Sequence, residues 1–126
     1  MKKILIADDE PDIIEVLTLR LKSAGYEVLI AYDGRECLSL MKTHKPDLLV
    51  LDIKMPNMNG YEVLIALKEL RHHEKDFPQI PVIILTASVN QQVEGAIKSE
   101  DIKGYLVKPF RATDLLRNIE EVIGPA

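Results

Sequence analysis

An α/β fold built on a doubly wound parallel sheet is what this sequence predicts, and three observations carry the prediction. Five short apolar runs alternate with five amphipathic stretches over 126 residues. The runs are unbroken rather than alternating in polarity, as strands covered on both faces require. The length suits one domain around one core, taken as residues 1–126.

Each element follows from local pattern. Residues 4–7 (Ile4-Leu5-Ile6-Ala7) read as the first strand. Residues 11–24 follow as a helix with Ile14, Leu17 and Leu21 at helical spacing, stopped by Gly25. The second strand is 28–31, and the second helix is 34–44 with Cys37, Leu38 and Met41 on one side. The third strand is 47–51. After a turn at 57–60 the third helix covers 61–70, with Val63, Leu67 and Leu70 inward. The polar stretch 71–79, which holds Pro78, reads as a loop. The fourth strand is 82–85, the fourth helix 91–98 and the fifth strand 105–107. Thr113 is the expected cap of a last helix carrying Leu116, Ile119 and Ile123, ended by Gly124-Pro125. Right-handed crossovers and this size favour the flavodoxin-like (βα)5 arrangement with strand order 2-1-3-4-5.

Composition excludes several classes. Twenty acidic against sixteen basic residues give a net charge of −4, which argues against a broad basic nucleic-acid-binding face. A single cysteine, Cys37, forms neither an internal disulfide nor a cysteine zinc site, and fits a small core residue in a reducing compartment. No apolar run approaches the ~20 residues of a membrane span. The basic start Met1-Lys2-Lys3 is followed by an apolar run that Asp8-Asp9-Glu10 stops at once, unlike a secretion signal. A cytoplasmic location without membrane contact is the expectation.

Doubly wound sheets bind ligands at the carboxyl ends of their strands, beside the switch point. Strand one ends in Asp8-Asp9, strand three in Asp52, strand four in Thr86-Ala87 and strand five in Lys108-Pro109. Three carboxylates, a hydroxyl and an ammonium should therefore converge on one crevice. Close carboxylates repel, and a hard divalent cation relieves them; oxygen-only ligands favour Mg²⁺ or Mn²⁺. Lys108 and Thr86 supply the charge and hydroxyl that a phosphoryl group needs. Asp52, alone on its strand, is the best placed nucleophile for an aspartyl phosphate, with Asp8 and Asp9 as the metal pair. Singly, Asp or Thr at a strand end is usually a turn former or cap; it is the joint occurrence after four strands that points to chemistry.

These segments carry a resemblance. Ile6-Ala7-Asp8-Asp9-Glu10-Pro11, Leu51-Asp52-Ile53-Lys54-Met55-Pro56, Gly60, Leu85-Thr86-Ala87 and Tyr105-Leu106-Val107-Lys108-Pro109-Phe110 occur in the order seen in receiver domains of two-component response regulators (the CheY-like family). The chain resembles that family from end to end. The resemblance implies that Asp52 accepts a phosphoryl group from a sensor histidine kinase or phosphotransfer protein. It implies Mg²⁺ held by Asp9, Asp52 and the Lys54 backbone carbonyl, with Asp8 holding a metal water. Thr86, the Ala87 N–H and Lys108 would grip the phosphoryl oxygens. Tyr105 would turn with Thr86, and the face of helix four, strand five and helix five would signal to a downstream protein or an output domain. Such a domain is a phosphoacceptor with slow autodephosphorylation rather than a conventional enzyme.

The sequence departs from the family habit at two places. The loop 71–79 is a few residues longer, and Asp101 stands where a glycine commonly closes helix four, a position where Asp can take a left-handed conformation less readily. Lys54 and Ser88 flank the path of an attacking water in the family, although both can equally be plain surface residues. His44, His72 and His73 have no further ligand nearby and read as solvent-exposed. Phe110 reads as packing after the Lys-Pro bend. Gly95 costs about 1 kcal/mol in its helix, either as a tolerated surface glycine or as a soft spot in a moving element. Competing functions are a Mg²⁺-dependent phosphatase with an aspartyl nucleophile, a nucleotide-binding protein, and a receiver that docks without phosphorylation. The phosphatase needs an acid two residues after Asp52, where Lys54 stands. No glycine-rich nucleotide motif occurs, and the full set of phosphorylation residues argues against simple docking.

Overall fold

The computed structural model describes all 126 residues. Its ten elements, in chain order, are β1 (Lys3–Ala7), α1 (Pro11–Ser23), β2 (Glu27–Ala31), α2 (Gly34–His44), β3 (Leu48–Asp52), α3 (Gly60–His73), β4 (Val82–Thr86), α4 (Gln91–Ile97), β5 (Ile102–Val107) and α5 (Ala112–Ile123). The five strands are all parallel and lie in the order β2-β1-β3-β4-β5, as the pattern of runs predicts.

The unbroken apolar strands are explained by two cores. Successive strand side chains point to opposite faces. Leu5, Ala7, Leu49, Leu51, Val82 and Ile84 face α2 and α3, while Ile4, Ile6, Leu48, Val50, Ile83 and Leu85 face α1 and α5. Every residue of β3 and β4 is buried. β5 lies at the edge and alternates buried, half-buried and exposed positions. Helix starts are fixed locally. Asp33 accepts the Glu36 N–H at 2.8 Å, Asn59 accepts the Glu62 N–H at 2.9 Å, and Asn90 accepts the Val93 N–H at 2.9 Å. Gly25, the expected stop of α1, follows that helix in a left-handed conformation, with φ 98°.

Four expectations need correction. α3 runs on to His73 instead of ending at 70. Arg71, His72 and His73 are polar but contain no helix breaker, and the positive Arg71 suits the carboxyl end of a helix. The remaining loop is held down rather than free, because Phe77 and Ile80 are buried in the α2–α3 core. β5 begins at Ile102 rather than 105, the edge position having concealed its first half behind Lys103 and Gly104. Thr113 caps nothing: the N-cap is Arg111, whose backbone N–H donates to the Asp114 carboxylate at 3.3 Å. Asp101 is not left-handed, since Lys45 and Asn57 are the only non-glycine residues with positive φ. Its carboxylate accepts hydrogen bonds from Arg71 and from Gln79, tying α3 to the α4–β5 turn.

Candidate functional site

Strand register decides what meets at the carboxyl edge of the sheet. Ala7 stands opposite Leu51 in the β1–β3 ladder, so the next residues, Asp8 and Asp52, emerge side by side. Thr86 stands opposite Val107 in the β4–β5 ladder, and the Lys108 N–H donates to the Thr86 carbonyl at 2.7 Å. Four strands thus deliver Asp8, Asp52, Thr86 and Lys108 to one rim. A crevice of about 750 Å³ opens there, lined by Asp9, Asp52, Lys54, Thr86, Ala87 and Lys108 among others.

One ammonium ties the acids together. Lys108 Nζ lies 3.1 Å from Asp8 Oδ2, 2.9 Å from Glu10 Oε1 and 3.3 Å from Asp52 Oδ2. Asp8 is completely buried, and its second oxygen accepts the Glu10 N–H at 3.0 Å. Asp52, 3% exposed, accepts the Lys54 N–H at 3.3 Å. Carboxylate oxygens of Asp8, Asp9, Glu10 and Asp52 all fall within 4.8 Å of one another. Burial, and then the Asp8 charge, push the Asp52 carboxyl up to about 6, against the pull of Lys108. Lys108 is pushed above the usual lysine range: hydrogen bonding to Glu10 and the charges of Asp52 and Asp8 overcome the opposing effect of burial. Four clustered acids against one base leave a surplus of negative charge, and an all-oxygen donor set of this kind fits a hard divalent cation.

Two glycines hold the geometry in place. A Cβ on Gly60 would lie 2.7 Å from the Asp52 carbonyl oxygen and 2.7 Å from Ile53 Cα, so α3 can start against the end of β3 only because that side chain is missing. A Cβ on Gly34 would sit 1.9 Å from the Met58 carbonyl oxygen, inside the loop that follows Asp52.

The structure brings together the predicted Asp8, Asp9, Asp52, Lys54, Thr86, Ala87 and Lys108. Thr86 is 5% exposed, and its hydroxyl donates to the Ser88 carbonyl at 2.8 Å. Ser88, like Lys54, lines the crevice. Tyr105 lies apart, on β5, with 42% of its surface exposed. Sequence reasoning gave no role to Glu10, although it follows Asp8-Asp9 directly; its contact with Lys108 reaches across the carboxyl edge of the sheet from β1 to β5, with β3 and β4 between them, which residue order alone does not convey. Asn59, Tyr61, Asn90 and Gln92 also line the crevice unannounced. His44, His72 and His73 are exposed and outside it, and Phe110 is half-buried in the α1–α5 core. The Cys37 thiol is buried and pushed up to about 12 by that burial, which leaves it an inert core residue.

Residues 4–120 match the family model of the response regulator receiver domain. The chain belongs to the response regulator receiver family. The receiver is 36% identical, over 97% of its length, to the alkaline phosphatase synthesis transcriptional regulatory protein PhoP of Bacillus subtilis, and spans 48% of that protein. It is similar in structure to the chemotaxis response regulator CheY4 of Vibrio cholerae, with a TM-score of 0.83 and 32% identity, covering 98% of this chain and 99% of that one. It is likewise similar to the response regulator TrrA of Thermotoga maritima, solved in complex with Mg²⁺ and BeF, with a TM-score of 0.77 and 34% identity over 98% of this chain and 100% of that one. No helix of the receiver is long and apolar enough to cross a membrane.

Proposed function

We propose that the receiver is a phosphorylation switch in which Asp52 takes a phosphoryl group from a phosphohistidine on a sensor kinase or phosphotransfer protein. The observation that carries this reading is the placement of the Asp52 carboxylate 3.3 Å from Lys108 Nζ, in a crevice walled by three more acids and by Thr86. An Asp52 oxygen attacks phosphorus, the bond to the histidine nitrogen breaks, and the nitrogen keeps the electron pair. Lys108, 3.3 Å from the Asp52 carboxylate, supplies a point charge to the phosphoryl oxygens. Asp8, Asp9, Asp52 and the Lys54 carbonyl would hold Mg²⁺, which supplies charge neutralisation at the transferring group. Asp8 is fixed by its own hydrogen bonds and ion pair, so its geometry is preorganised for that role.

Thr86 and Tyr105 make the readout. The Thr86 hydroxyl now donates to Ser88; a phosphoryl oxygen at Asp52 offers a charged acceptor in its place. Turning Thr86 toward it frees space beside β5, where Tyr105 stands outward, and the face of α4, β5 and α5 is re-formed for a downstream protein or an output domain. α4 suits a moving part: it has seven residues and one fully buried anchor, Val93. Taking a population from 1:99 to 99:1 needs roughly 5.5 kcal/mol, and charge-assisted bonds to Thr86 and Lys108 contribute to it. The chain spans about half of the transcriptional regulators it matches, which fits a receiver that works through an attached or separate output module in the cytoplasm.

An aspartyl-nucleophile phosphatase has less behind it, because the exposed Lys54 occupies the position two residues after Asp52. Mass spectrometry after incubation with acetyl phosphate and Mg²⁺ separates the readings. One phosphoryl group per chain, mapped to Asp52, is expected, with none in Asp52→Asn. Steady turnover of simple phosphate esters, or stoichiometric label elsewhere, would reject the switch.

A further inference from the structure

A second concavity, of about 290 Å³, lies between α3 and α4. Its walls are apolar: Met41, Leu64, Leu67, Phe77, Ile80 and Ala96. Gly95 belongs to the same wall, and a Cβ built on it would meet no atom within 4 Å. The missing side chain therefore leaves the space open rather than relieving a clash. The volume is at the lower end of the ~300–1,000 Å³ typical of small-molecule sites, and an apolar lining with few polar groups at the mouth is their usual make-up.

The rim is electrostatically one-sided. Lys68 stands at the mouth and takes part in no ion pair. The α3 residues three and four positions away are Leu64, Ile65, Arg71 and His72, so no acid stands one helical turn from it, and the neighbouring Glu69 does not line this cavity. The one carboxylate at the rim, Asp101, is already engaged by Arg71 and Gln79. An anionic head group thus meets a free cation without a competing charge. Phe77 and Tyr61 supply aromatic surface for a flat body.

We propose that this cavity binds a small aromatic carboxylic acid, with the ring between α3 and α4 and the carboxylate at Lys68. Tyr61 and Gln92 line both this cavity and the acidic crevice, so the bound acid touches two side chains that the phosphoacceptor site shares. Binding itself is independent of phosphoryl chemistry at Asp52.

The test is a titration of the isotope-labelled chain with phenylacetate, followed by amide NMR, with the neutral phenylacetamide as control. Saturable shifts are expected along residues 64–68 and 93–99. Gly95→Leu fills the space and should weaken phenylacetate binding about ten-fold or more. Lys68→Glu, an exposed change that leaves folding intact, should weaken phenylacetate several-fold and leave phenylacetamide unaffected. Absence of saturable shifts, shifts centred on Asp8, Asp52 and Lys108, or equal phenylacetate affinity in parent and Lys68→Glu would overturn the assignment.

Discussion

Asp52→Asn should make the metal-free protein more stable, and the structure gives the size. Burial and the neighbouring Asp8 charge raise the Asp52 carboxyl from 3.8 to about 6. In the unfolded chain the carboxyl loses its proton near 3.8, in the folded chain near 6. The folded state therefore holds more protons between those values, and stability falls as pH rises through that window. Above about 6 the loss is complete. Each pH unit between the two values is worth about 1.36 kcal/mol, for about 3 kcal/mol in all. The crevice opens to water, which reduces the figure to ~1–3 kcal/mol. Asparagine keeps the shape and removes the charge, so the variant should recover most of this at neutral pH.

The assay is urea unfolding in EDTA at a series of pH values. The parent should gain stability as pH is lowered from 7 toward 5, and Asp52→Asn should not follow it over that interval. Saturating Mg²⁺ should then close the gap, since a ligand at a hundred times its Kd adds about 2.7 kcal/mol to a protein that binds it and little to one that has lost a ligand. A variant no more stable than the parent at neutral pH, or a gap that stays constant with pH, would refute the claim that Asp52 is held charged against its surroundings.

The other expectations concern metal affinity and backbone fit. Asp9→Asn should weaken Mg²⁺ binding about ten-fold or more in calorimetric titration; affinity equal to the parent removes Asp9 from the ligand set. Lys108→Ala should bind Mg²⁺ more tightly, because an ammonium 3.1 Å from Asp8 and 3.3 Å from Asp52 competes for the same oxygens, while labelling by acetyl phosphate falls; unchanged affinity would contradict the competition. Gly34→Ala places a Cβ 1.9 Å from a backbone oxygen and should cost about 2–4 kcal/mol, whereas Gly95→Ala, in open space, should gain ~0.5–1 kcal/mol. Urea midpoints decide that pair, and equal effects would show that the loop at Met58 yields freely.

What could be read from residue order was what burial dictates. Ile4-Leu5-Ile6-Ala7 and the other unbroken runs had to be strands covered on both faces, and the acids after β1 and β3 had to share an edge once the strand order was fixed. The errors fall where burial gives no signal. β5 is an edge strand with Lys103 and Tyr105 exposed, so its first half lacks an apolar run. Arg71-His72-His73 are helical because of their place at a helix end, not because of any periodicity. Residue order presents Asp101 only as a backbone position in place of a glycine, whereas its role is a side-chain tie to Arg71 and Gln79. Glu10 was legible as an acid but not as a partner of Lys108, which lies 98 residues away in the chain.

The charge arrangement also dictates an order of events at the crevice. A phosphoryl donor brings further negative charge to a place already crowded with it. Lys108 is one ammonium against Asp8, Asp9, Glu10 and Asp52, so three charges stay uncompensated, and Lys108 is committed to contacts of 2.9 to 3.3 Å with three of the four acids. It cannot serve the incoming oxygens without releasing some of those acids. A divalent cation among the carboxylates leaves a single charge uncompensated and frees the ammonium to turn outward. In the proposed switch, cation binding should therefore precede phosphoryl transfer, and Lys108 should not stand in for it. Acetyl phosphate in the presence of EDTA should leave Asp52 unlabelled at every pH above about 6, where the carboxylate is ionised and nucleophilic yet unapproachable. Labelling that persists at the same rate in EDTA would show that Lys108 alone can neutralise the site, and the argument from charge would fail.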